Sequence, residues 1–134
     1  MGEGSTRALH IVSERCGRIV RSYDHDPSWV ARYIDLRTAN HLVENVASWN
    51  DCPIESVAWS VAFVDHAPAE RRGVDIARLA RHAQVIVVHD TEDHRYGYGD
   101  LLDTFAHRLD YCSHRPWTSL LSNFIDVSCW DITP

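Results

Sequence analysis

"QVIVVHDTEDH", residues 84–94, joins an unbroken apolar run to a cluster of acids and histidines. Four β-branched residues in succession, Val85 to Val88, predict a strand covered on both faces, as strands of parallel sheets are. It ends in His89 and Asp90. Upstream, "VAWSVAFVD" (57–65) is a second such run, also predicted to be covered on both faces, and it ends in Asp65. Between the two lie a polar loop, "HAPAERRG" (66–73), and a helix through Ile76, Leu79 and Ala80. Strand, helix and strand in that order form the unit from which parallel sheets are built.

Outward from this unit the alternation continues. Ala8, Leu9, Ile11, Val12 and Cys16 recur at helical spacing, and Gly17 sits where a helix C-terminus favours a left-handed residue. "RIVRSYD" (18–24) reads as a strand, and in "DPSW" (26–29) Asp26 can cap a helix with Pro27 in its first turn. That helix carries Trp29, Val30, Tyr33 and Ile34, and "HLVENVA" (41–47) is a further strand. Beyond Asp90, Asp100 can cap a helix bearing Leu101, Leu102 and Phe105. "RLDYCSH" and "TSLLSNFIDVS", joined by "RPW", predict a C-terminal antiparallel hairpin at the sheet's edge. The expected fold is α/β: one doubly wound, mostly parallel Rossmann-like sheet, with helices on both faces and the hairpin closing it.

Composition narrows the function. With 134 residues, 45% of them hydrophobic, the chain is long enough for one compact domain with a core of its own. A formal charge of −6 argues against a nucleic-acid surface, which needs clustered Lys and Arg. No apolar stretch approaches the roughly 20 residues of a membrane span, and the N-terminus lacks the pattern of a signal peptide. A cytoplasmic location is expected. The four cysteines are scattered without a C-x-x-C pair, which predicts free, mostly buried thiols.

Ligands of open parallel sheets bind beyond the carboxyl ends of the strands, so candidate site residues are sought there. The glycine turn Gly2 to Thr6 offers close backbone approach and free amides at a helix N-terminus, suited to a carboxylate or phosphate. Asp24 stands twenty residues after Gly4 at a strand end, where an acid accepts hydrogen bonds from ribose hydroxyls, or is simply a surface acid near a turn. Trp49 could flank an adenine ring or cap the core. Asp65, His66, His89 and Asp90 share one rim: the two carboxylates could bind a hard cation such as magnesium, and His66 could act as a general base. Against this, strand-end acids often only cap the element that follows.

Five stretches, "GEGST", "SYDHDPSW", "AFVDHAPAERR", "VIVVHDTEDHRYGY" and "PWTSLLSNFIDV", together resemble successive blocks of class I S-adenosylmethionine-dependent methyltransferases, in the catechol and macrocin O-methyltransferase-like group. The resemblance implies a cofactor, S-adenosylmethionine, with Gly2, Gly4 and Ser5 at its methionine end, Asp24 on its ribose and Trp49 beside its adenine. It implies catalytic roles for Asp65, His66 and Asp90, and magnesium at Asp65 and Asp90 as in the metal-dependent members. Thr91 departs from the pattern, because those members commonly carry another metal-binding acid or amide there.

In that family a first strand lies between the second and fourth, and the glycine turn follows it. This chain begins where that strand would end, so the resemblance implies a single methyltransferase-like domain, 1–134, truncated at its N-terminus relative to the family. The open slot leaves room for a strand-donating partner or a homo-oligomer. The expected reaction is methyl transfer to a hydroxyl of a small molecule or sugar. The alternatives are a non-catalytic methyltransferase-like remnant or interaction subunit and, on the His and Asp rim, a metal-dependent hydrolase.

Overall fold

The computed structural model of the chain describes residues 3–132. The chain divides into two compact units, Met1–Cys52 and Pro53–Pro134. In the first, α1 (Glu3–Cys16) precedes β1 (Val20–Asp24), α2 (Pro27–Ala31) and β2 (His41–Asn45). β1 and β2 pair in parallel, with Ser22 opposite Val43 and Asp24 opposite Asn45. Gly17 ends α1 at φ +60, the left-handed conformation foreseen for it. Asp26 caps α2 through Ser28 N at 2.8 Å, with Pro27 in the first turn. Tyr33, Leu36 and Val43 form a small core with Trp29 and Val30 against it.

The inward side of α1 differs from the apolar stripe in the sequence. Ile11 and Val12 are about half exposed, whereas Ser13 is fully buried. Only one layer of two strands lies in this unit, so α1 has little apolar surface to cover, and a polar cluster built on His10, Ser13 and His41 occupies the interior instead.

The second unit holds β3 (Trp59–Val64), α3 (Arg72–Leu79), β4 (Ala83–His89), β5 (His107–Tyr111) and β6 (Thr118–Ser122). Their order across the sheet is β3-β4-β6-β5. β3 and β4 pair in parallel, with α3 as the crossover. β6 runs antiparallel to both β4 and β5, and the hairpin places β5 at the sheet's edge as its sequence implies. Ile86, Val88 and Leu121 are fully buried, with Ile76, Leu79 and Phe105 packed around them. Each such side chain contributes roughly 1.5–3 kcal/mol by leaving water.

One doubly wound parallel sheet is not what forms. The strands fall into a two-stranded parallel sheet and a four-stranded mixed sheet, and β3–β4 is the one parallel pairing in the second. A continuous sheet needs a partner on both edges of every inner strand, and among the described residues none pairs with the second edge of β1 or of β3. As an edge strand, β3 leaves Ser60 and Val61 exposed, contrary to its expected cover on both faces. Among the described residues of the second unit, α3 is the one α-helix. The segment after Asp90 forms only 3-10 turns, the longer at Gly99–Thr104, because a three-residue period aligns Leu102 with Phe105 on the buried side and Gly97 and Gly99 both take positive φ. Of the cysteines, all are free but only Cys52 is buried.

Candidate functional site

The rim of the second unit is built at the carboxyl ends of its two parallel strands. Asp65 follows β3, His89 closes β4 and Asp90 comes next, at φ +61. Left-handed backbone is uncommon outside glycine, and aspartate is among the residues that tolerate it. One ligand atom from each of Asp65, His89 and Asp90 lies within 4.8 Å of the others. His89 Nδ1 sits 3.1 Å from Asp90 Oδ1 and 3.3 Å from Asp65 Oδ1. Tyr98 pins the strand end by donating its hydroxyl to His89 O at 3.0 Å.

Arg72, the first residue of α3 and nearly buried, ties the two acids together. Its Nη1 donates to Asp90 Oδ2 at 3.0 Å, and its Nη2 lies 3.0 Å from Asp65 Oδ1. Nε and Nη2 also donate to the backbone oxygens of His66 and Asp65, at 2.7 and 3.1 Å, and the guanidinium lies 4.8 Å over the Tyr96 ring. Burial alone would push Asp90 up, but the bond from Arg72 and the nearby His89 outweigh it and hold its carboxyl below the ordinary value. Burial pushes the Tyr98 hydroxyl up against the pull of Arg72.

His66 goes elsewhere. Its Nε2 lies 3.1 Å from Asp75 Oδ2, and Asp75 is a nearly buried carboxylate also held by Arg71 and Arg78. The imidazole facing Asp65 and Asp90 is therefore that of His89, not the one adjacent to Asp65 in sequence. Arg71 and Arg78 stand four residues before and three after Asp75, the spacing at which side chains on a helix meet, and that much was visible in the sequence. Arg72 carried no such signal, since its partners are 7 and 18 residues away.

No family model, curated protein or solved structure matches this chain.

Magnesium does not fit the rim. Three of the four oxygens of Asp65 and Asp90 already lie 3.0–3.3 Å from nitrogens of Arg72 or His89. Thr91, where a further ligand would stand, accepts a hydrogen bond from Ser119 Oγ at 3.0 Å.

The first unit holds the other predicted residues. Gly2 lies outside the described residues. Gly4 and Ser5 lie in the first turn of α1 rather than in a glycine turn ahead of it. Thr6 and Asp24 line a common cavity of about 40 Å³. Asp24 Oδ1 accepts from Asp26 N at 2.9 Å and lies 3.4 Å from His25 Nδ1, while Oδ2 makes no hydrogen bond among the described residues. Trp49 meets the His25 ring at 5.7 Å, so Asp24, His25 and Trp49 form one group. An open carboxylate oxygen near a helix N-terminus suits a ribose hydroxyl, although 40 Å³ encloses little more than a water and no nucleoside. The three acids expected on one sheet edge thus end strands of two sheets: Asp24 ends β1, while Asp65 and Asp90 follow β3 and β4. No helix among the described residues is long and apolar enough to cross a membrane.

Proposed function

We propose that the chain is an S-adenosylmethionine-dependent methyltransferase domain acting on a hydroxyl of a small molecule or sugar, with His89 as the base. One observation carries the reading. His89 Nδ1 is buried, makes no hydrogen bond of its own among the described residues, and lies 3.1 and 3.3 Å from oxygens of two carboxylates. A proton on the ring nitrogen nearest two carboxylates would leave the other nitrogen its lone pair, which is the arrangement of a general base. His89 Nε2 would take the proton of the acceptor hydroxyl, and Asp65 and Asp90 would stabilise the imidazolium that results. Arg72 holds both carboxylates in place, its nitrogens 3.0 Å from an oxygen of each. Asp24 Oδ2 would accept from a ribose hydroxyl, with Trp49 beside it. S-adenosylmethionine, when bound, supplies the methyl group as a sulfonium substituent.

The sequence blocks support the choice of donor. A second reading, a methyltransferase-like protein without cofactor binding, is favoured by the small volume beside Asp24.

Calorimetric titration with S-adenosylhomocysteine separates the two. The enzyme reading expects saturable heat that Asp24→Ala abolishes and that His89→Gln leaves intact, while transfer to a hydroxyl acceptor is lost in His89→Gln. A folded wild-type chain giving no heat at millimolar ligand would establish the second reading instead.

A further inference from the structure

The Asp65–Asp90 rim contains a positive charge that no motif in the sequence announces, and it stands between the two carboxylates. We infer that Arg72 is the permanent cation of this site, taking the place a divalent metal would hold, so that the rim is assembled and works without one. The inference goes beyond the reaction proposed above, since it concerns what occupies the rim whichever chemistry it serves.

Two independent features carry it. The guanidinium is fastened by its surroundings and not only by the acids: Nε and Nη2 donate to the backbone oxygens of His66 and Asp65 at 2.7 and 3.1 Å, and the Tyr96 ring covers it at 4.8 Å. It is 7% exposed, so it cannot leave for solvent without unpacking the start of α3. The second feature is the state of the acids. Asp90 Oδ2 faces Arg72, Asp90 Oδ1 faces His89 Nδ1, and Asp65 Oδ1 faces both. A hard cation needs several oxygens with free lone pairs at short range, and here Asp65 Oδ2 alone lacks such a partner among the described residues. The guanidinium lies 3.0 Å from an oxygen of each carboxylate, and its single charge faces both.

Mn²⁺ is the probe, with binding to the full chain read from the loss of the free-ion paramagnetic resonance signal. Wild type is expected to bind none at millimolar concentration. Arg72→Met, which keeps the packed stem and removes the charge, is expected to bind at least about tenfold tighter than wild type. Arg72→Lys restores a cation and is expected to stay closed, and adding Asp90→Asn to Arg72→Met should remove the gain. A structural role for Arg72 alone would not distinguish Lys from Met in this way. Wild-type binding that Asp65→Asn removes would overturn the inference, as would a folded Arg72→Met with no gain. Should Arg72→Met not fold, the wild-type titration decides alone: binding lost in Asp65→Asn refutes the inference and silence upholds it.

Discussion

Replacing Asp75 by alanine tests whether the ion cluster beneath the rim is a structural element of the second unit. The carboxylate is 3% exposed and receives Arg71 through Nε and Nη2, each at 2.9 Å, Arg78 through Nη1 at 2.9 Å, and His66 at 3.1 Å. Removing one member of a buried ion pair costs about 3–5 kcal/mol, because the charges left behind lose their partner. The arginine side chains are 19% and 18% exposed and Arg78 keeps Glu55 at 2.9 Å, so both recover some solvation. The lower end, about 3 kcal/mol, is the expected loss. Asp75→Asn preserves shape and loses charge, and should cost about 2 kcal/mol, the scale of a hydrogen bond to a charged group.

The assay is urea unfolding followed by amide exchange at Val85–Val88 in β4, which reads this unit by itself where two units need not unfold together. Acid gives the same cluster a second test. Burial would raise the Asp75 carboxyl, but His66, Arg71 and Arg78 overcome that and hold it well below its ordinary 3.8. The unfolded chain then binds the proton first, so this stability is present above 3.8 and is lost as pH falls below it. Both variants lying within about 0.5 kcal/mol of wild type would refute the reasoning, since surface changes of no structural consequence give that much.

Two further outcomes follow from other parts of the molecule. Ile86→Ala, at a site 0% exposed in the middle of β4, should cost about 2–5 kcal/mol in the same unfolding measurement, and a smaller loss would mean that β4 is not the centre of its core. In the first unit, His41 is fully buried, with Nδ1 3.3 Å from His10 Nδ1 and Nε2 2.8 Å from Ser22 Oγ. Burial first, then the charge of His10, hold its imidazole below 6.5, with Glu14 pulling the other way. The unfolded state is protonated first, so stability is complete above 6.5 and declines as pH falls through the lowered value. Amide protection in β2, corrected for the intrinsic exchange rate, should fall on mild acidification, and His41→Gln should flatten that dependence.

Local chemistry was legible where a signal and its effect lie within a few residues. Asp26 and Pro27 start α2, Gly17 ends α1, and the β-branched run Val85–Val88 is the buried strand, because caps, left-handed glycines and apolar runs act on their own neighbourhood. The rim was legible as a location, since Asp65 and Asp90 each follow a strand and parallel pairing brings such ends together. Its composition was not. His66 and His89 look equivalent in sequence, and only the placement of α3, with Asp75 inside it, sends one to a structural cluster and leaves the other on the rim.

By itself, then, the sequence determined the strands, the cap of α2 at Asp26, the end of α1 at Gly17 and the acids at the strand ends, because these follow from residue type and short-range spacing; the helix expected from Asp100 formed 3-10 turns that Asp100 does not cap. Only the tertiary structure decided that the strands make two sheets, since pairing is a property of edges and not of any single strand. It alone set Arg72 between Asp65 and Asp90, since a charge finds its partners by distance in space, across 7 and 18 positions of chain.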